Sequence, residues 1–227
     1  MAEMMKGNEA IAEAAIRAGA RFYAGYPITP SSEIMEYLSW RMNEVGGAFV
    51  QAESELAGIN MVIGASSCGV RALTASSGPG ISLKQEGIST LCDEGLPAVV
   101  ITQVRYGNGL GTLFTSQCDY HRETRGGGQG DYRCIVLCPS SIQEFVDLML
   151  PAYELAEKYR IVTIMMGEGT LGQMMEPVEL PDFVEPKRTP WALNGHYTYK
   201  KIGIFERDSM AEAVELRAKY AEIKENE

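Results

Sequence analysis

The sequence predicts an α/β domain built on a doubly wound, mostly parallel six-stranded sheet, and three observations predict it. Apolar runs of about six residues alternate with stretches of helical period, which is the mark of successive βα units. Glycine and proline gather where one kind of run gives way to the next. The chain has 227 residues and is 45% apolar, enough to bury a core, yet no apolar run is long enough to span a bilayer.

The elements follow in order. "KGNEAIAEAAIRAGA" is an alanine-rich helix that stops at Gly19, and "RFYAGYPI" is the first strand. "SSEIMEYLSWRMNEVGG" has serines for a cap, early glutamates and a closing glycine pair, as a helix requires. "AFVQA" is the second strand, "SELAGINMVIGASSCG" the next helix, and "RALTASS" the third strand. "GPGISLKQEGISTLCDEG" enters a helix through Gly-Pro, and "PAVVITQV" is the clearest strand of all. The polar, glycine-rich segment from Arg105 to Arg133 shows little periodicity; a connection of that length is functional or mobile. "RCIVLCP", "SIQEFVDLMLPAYELAEKYR" and "IVTIMMGE" then complete strand, helix and strand.

The expected organisation is a domain over residues 1–175, a proline-rich extended linker over 176–208, and a charged helix over 209–227. The net charge of −10 argues against a nucleic-acid backbone or an anionic membrane as partner. The N-terminus lacks the features of a signal peptide, so a cytoplasmic location is expected.

Cys68, Cys92, Cys118, Cys134 and Cys138 are too scattered for a zinc or iron–sulfur site and read as ordinary buried thiols. The last pair is expected on one strand face. His121 reads as a solvated loop residue, and no metal site is expected in this chain.

In a doubly wound sheet a ligand sits outside the carboxyl ends of the strands. Four ends carry "GYPITPSS", "QAESE", "ASSGPG" and "QVRYGNG", which brings hydroxyls, carboxylates, close-approach glycines and a guanidinium to one edge. Glu55 opens a helix that is apolar on nearly every side and therefore reads as buried all round. Its carboxylate is either a first-turn acid held by amides and the dipole or a functional group. Glu53 reads as solvated or ion-paired.

"GYPITPSSEI", "QAESELAGINMVIGAS", "ALTASSGPGISL" and "QVRYGNGLGT", in this order, resemble the pyrimidine-binding domain in the alpha subunit of 2-oxoacid:ferredoxin oxidoreductases. The resemblance runs from Lys6 to about Glu185 and is greatest to subunits assigned to 2-oxoisovalerate (3-methyl-2-oxobutanoate), with 2-oxoglutarate enzymes next. It implies thiamine diphosphate as cofactor, with Glu55 touching N1′ of the aminopyrimidine. There an apolar wall disfavours the charged carboxylate and lets it share a proton with the ring nitrogen.

The resemblance places Thr29 beside the oxoacid, with Pro27 and Pro30 fixing its backbone, and puts Ser77, Gly78 and Pro79 close to the cofactor. Helix capping is the plainer role for Thr29, and a tight turn for the serine–glycine–proline loop. Arg105 falls where a carboxylate-binding arginine is expected, with a surface salt bridge as its rival; "RYGNGLGTLF" departs from the glycine-richer family version.

"GEGTLGQ" lacks the aspartate and asparagine of a diphosphate and Mg²⁺ motif, and there is no ferredoxin-like cysteine run. The resemblance therefore implies a diphosphate-binding beta subunit that holds Mg²⁺ and an iron–sulfur subunit, with coenzyme A as acyl acceptor and ferredoxin as electron acceptor. It also implies a second α/β domain, which this sequence is expected to lack. Two rivals are a scaffold subunit of the same fold and a nucleotide-binding domain, though no Walker loop or G-x-G-x-x-G is present.

Overall fold

A computed structural model describes residues 2–185, 189–193 and 209–226. The chain runs β1 (Glu3–Lys6), α1 (Gly7–Arg17), β2 (Phe22–Gly25), α2 (Ser32–Glu44), β3 (Ala48–Gln51), α3 (Glu55–Ser67), β4 (Ala72–Ser76) and α4 (Gly78–Asp93). It continues through β5 (Ala98–Val104), α5 (Tyr120–Arg125), β6 (Ile135–Leu137), α6 (Ile142–Tyr159), β7 (Val162–Glu168), α7 (Gly169–Gln173), β8 (Met175–Val178) and α8 (Ser209–Asn226).

The six strands expected from the sequence form one sheet in the order β3-β2-β4-β5-β7-β6, and all of its pairings are parallel. Chain order reverses about β2, whose neighbours are β3 on one side and β4 on the other. A crevice therefore opens at the carboxyl ends of β2 and β4, where the connections leave toward opposite faces.

Two apolar layers hold the sheet. Ile11 and Ile16 of α1, Leu38 of α2, and Phe145 and Tyr153 of α6 cover one face. Ile59 and Val62 of α3, with Ile81, Ile88 and Leu91 of α4, cover the other. Each such side chain contributes roughly 1.5–3 kcal/mol on burial. All five cysteines are free, so it is packing that closes the domain.

The structure departs from the sequence expectations at five points. Met175–Val178, where a linker was expected to begin, pairs antiparallel with Glu3–Lys6 as a second, two-stranded sheet. Beyond it, Val184 donates its amide to the Arg17 carbonyl at 2.7 Å, and the Phe183 ring lies 4.7 Å from the Arg17 guanidinium, so this stretch packs on α1. The rest of the expected linker, at 186–188 and 194–208, lies outside the described residues.

Helix α3 is not buried all round: Gly58, Ile59, Val62 and Ser66 face inward, while Leu56 is 43% exposed. Apolar composition alone does not say which face a neighbour covers.

Cys68, Cys118 and Cys138 are exposed rather than buried. Because β6 spans only Ile135–Leu137, Cys134 and Cys138 flank the strand rather than sharing its face. Cys134 turns to Cys92 instead, with the sulfurs 3.8 Å apart. Finally, the long connection carries α5, and His121 lies exposed on that helix rather than in a loop. Among the described residues no helix is long and apolar enough to cross a membrane.

Candidate active site

Glu55 is the first residue of α3 and is 93% buried, leaving 7% exposed. Ser54 caps the helix by accepting the Ala57 amide at 3.1 Å, which leaves the Glu55 carboxylate free of capping duty. No described residue donates a hydrogen bond to that carboxylate. The residue is held by the inward face of α3, which packs against α4.

The entry to α4 faces it. Gly78 has φ +46, a left-handed conformation that suits glycine, and it turns the chain from β4 into the helix. At Gly80 a Cβ would lie 2.7 Å from Glu55 Oε1 and 2.2 Å from Ser76 Oγ. Only glycine lets α4 start this close to the carboxylate. The hydroxyls of Thr74, Ser76 and Ser77 are buried there without a partner, an arrangement that costs free energy unless something else satisfies them.

Arg105 leaves the carboxyl end of β5 and reaches across this loop. Its Nη1 donates to the Thr29 carbonyl at 3.0 Å, while its Nε is buried without a partner. A Cβ on Gly78 would stand 2.7 Å from that Nε, so the guanidinium lies against the loop. Among the described residues Arg105 makes no ion pair, and the hydrogen bond that its guanidinium donates goes to the Thr29 carbonyl.

Thr29 is exposed in the elbow after β2. It does not cap α2: the cap position belongs to Ser31, whose hydroxyl donates to the Ile28 carbonyl at 2.8 Å. The elbow is fixed from beneath. Asn8, fully buried, donates to the Pro30 carbonyl at 2.7 Å and to Glu33 Oε2 at 2.6 Å, and accepts from Gln103 at 3.1 Å. Lys6 and Gln173 also bond Glu33, whose carboxyl these donors hold below its ordinary range although burial opposes them.

A second buried acid sits on α5. Arg122 donates to the Gly78 carbonyl at 2.8 Å and pairs with Glu123 at 2.7 Å. Glu123 is 1% exposed, and burial raises its pKa even though Arg122 pulls it down. Alongside lies a cavity of about 510 Å³ at the carboxyl ends of β5, β6 and β7, lined by Val104, Tyr120, Cys138, Met166 and Glu168 among others.

Glu55, Ser77, Gly78, Pro79, Arg105 and Thr29 thus come together at one sheet edge. Glu55 stands against Gly80, and Thr29 is joined to Gly78 through Arg105. Glu53 is exposed and takes no part. Among the described residues no group of His, Cys, Asp or Glu could hold a metal ion. The sequence reading missed Asn8, Glu33, Gln173, Arg122 and Glu123, whose roles depend on contacts between distant segments. The one available signal was a polar Asn8 inside an alanine-rich helix.

The family model described as pyruvate flavodoxin/ferredoxin oxidoreductase, thiamine diphosphate-binding, matches residues 13–227. Ketoisovalerate oxidoreductase subunit VorB of Methanothermobacter thermautotrophicus is 49% identical over 99% of this chain and 66% of its own length. 2-Oxoglutarate synthase subunit KorA of Methanocaldococcus jannaschii is 46% identical over 81% of this chain and 50% of its own. Among solved structures, a 2-oxoglutarate:ferredoxin oxidoreductase from Magnetococcus marinus, with 2-oxoglutarate, coenzyme A and succinyl-CoA bound, superposes with TM-score 0.79. It is 32% identical over 87% of this chain and 35% of that one. The chain therefore spans about two thirds of the VorB relatives and half of KorA. The match covers nearly the whole chain and its relatives share both fold and sequence, so the chain belongs to the thiamine diphosphate-binding family of pyruvate flavodoxin/ferredoxin oxidoreductases.

Proposed function

We propose that this chain is the pyrimidine-binding part of a 2-oxoacid:ferredoxin oxidoreductase that works with partner subunits on 3-methyl-2-oxobutanoate. The oxoacid and coenzyme A become an acyl-CoA and CO₂, and the released electron pair passes one electron at a time to ferredoxin. The observation that carries the reading is the buried Glu55 carboxylate, unpartnered among the described residues and set beside the orphaned Ser76 hydroxyl.

The residues present fit an aminopyrimidine. Such a ring offers a basic nitrogen and an amino group, and the crevice offers an unpartnered carboxylate and several unpartnered hydroxyls. Thiamine diphosphate supplies the carbon nucleophile when bound.

This chain's residues orient and polarise. Glu55 takes and returns a proton at N1′ from a site where its helix is rigidly packed. The Thr29 hydroxyl stands on an elbow braced by Asn8 and donates to the oxygen on which negative charge develops. Arg105, whose Nη1 holds the elbow at the Thr29 carbonyl, binds the oxoacid carboxylate with the rest of its guanidinium as a charge-assisted donor. Ser77, Gly78 and Pro79 form the wall that lets the ring approach.

Mg²⁺ with the cofactor diphosphate and the iron–sulfur clusters are assigned to a beta subunit and an iron–sulfur subunit, and the complex to the cytoplasm. The 49% identity to ketoisovalerate subunits favours the branched-chain acid. A second reading, 2-oxoglutarate, is favoured by the KorA relatives and the superposed structure.

The test is reconstitution with the partner subunits and assay on 3-methyl-2-oxobutanoate, 2-oxoglutarate and pyruvate. The branched-chain acid is expected to give the highest kcat/KM. The Glu55→Ala complex is expected to lose turnover at least about a hundredfold. Near-normal turnover of that variant would assign the chain a scaffold role instead.

A further inference from the structure

Helix α4 inverts an ordinary preference at two adjacent positions: Leu83 is 55% exposed, while Lys84 beside it is fully buried. A lysine in an apolar layer is costly unless its charge is used, and methionine would fill the same space. Lys84 Nζ donates to the Glu55 main-chain carbonyl at 3.2 Å. A Cβ on Gly58 would lie 3.3 Å from that Nζ, 3.3 Å from Gly25 Cα and 3.4 Å from the Ala24 carbonyl oxygen. The ammonium therefore stands between the first turn of α3 and the carboxyl end of β2, directly behind Glu55.

We infer that Lys84 is a positioning residue for Glu55: it fixes the main chain that carries the carboxylate and sets, by its positive charge, how firmly that carboxylate holds a proton on N1′. The inference rests on the proposed cofactor reading. Among the described residues Glu55 is the charged group that acts on Lys84; its charge raises the lysine's affinity for protons while burial lowers it to about 8. The ammonium is thus charged at neutral pH. A cation behind Glu55 disfavours a second positive charge on the ring in front of it, so removing the cation makes the protonated aminopyrimidine easier to form.

The test uses the assembled complex with thiamine diphosphate and Mg²⁺. Near-ultraviolet circular dichroism follows the aminopyrimidine tautomers against pH in wild type, Lys84→Met, Lys84→Gln and Glu55→Gln. Both lysine variants are expected to assemble and to raise the midpoint by about one pH unit. Glutamine keeps a donor but lacks the charge, so its agreement with methionine identifies charge as the cause. A wild-type midpoint in either assembled lysine variant overturns the inference. So does failure of both to assemble where Glu55→Gln assembles, because that outcome makes Lys84 a folding residue only. A wild-type profile in Glu55→Gln overturns the cofactor reading itself, which keeps the two failures apart.

Discussion

Arg105 donates from Nη1 to the carbonyl of Thr29 at 3.0 Å, tying the connection after β5 to the elbow after β2 across the mouth of the crevice. The bond spends one guanidinium donor on the backbone and leaves Nε buried without a partner. An arginine so placed can bind a carboxylate and hold the elbow at once.

Replacing Arg105 by Met should therefore separate substrate from cofactor. Losing a charge-assisted contact costs about 2–3 kcal/mol, equivalent to a rise in KM for the oxoacid of roughly thirtyfold to 160-fold. Thiamine diphosphate affinity is expected to change little. Steady-state kinetics and cofactor titration of the reconstituted complex check both halves, and equal losses in both would place Arg105 on the cofactor.

Gly80→Ala tests the close approach of α4 to Glu55. The added methyl meets Ser76 Oγ and Glu55 Oε1 at distances that no real contact adopts, so one side chain must move. Overpacking of this kind costs about 1–3 kcal/mol. Thermal denaturation of the chain is expected to show that loss, and cofactor titration about a tenfold weaker affinity. Wild-type affinity with lowered stability would mean that Glu55 can move without consequence for the ring.

Lys84 gives the fold a pH dependence of definite sign. Its folded-state value, about 8, lies below the 10.5 of a free lysine. Between those values the unfolded chain binds more protons than the native one, so native stability rises with pH there. Below about pH 8 the full cost of the buried ammonium is present. Denaturation of wild type and Lys84→Met at pH 7 and pH 10 should show the difference narrowing in favour of wild type by on the order of 2 kcal/mol. A difference that does not vary with pH would mean that Lys84 binds its proton as firmly in the folded chain as in the unfolded one.

The central sheet was legible because parallel strands covered on both faces must be apolar throughout, and "PAVVITQV" and "IVTIMMGE" can be little else. Strands β1 and β8 were not. Each is short, one holds a proline, and their Met4 and Met175 are 61% and 60% exposed, so burial wrote no pattern into them. The exposed face of α3 shows the converse limit: Leu56 is as apolar as Ile59, and only tertiary contacts tell them apart.

That Glu55, Thr29 and the serine–glycine–proline loop share one sheet edge was legible because they sit within a few residues of strand ends. Asn8 and Lys84 lie inside helices, and their partners come from segments more than twenty residues away. No local pattern announces a contact of that kind.

The most direct measurement is the exchange rate of the cofactor's C2 proton for deuterium, followed by quenched proton NMR in the reconstituted complex with wild-type chain and with Glu55→Gln. If this carboxyl moves the ring proton, the glutamine complex binds thiamine diphosphate but exchanges at least about a hundred times more slowly. Exchange at the wild-type rate, with the cofactor bound, would contradict the account.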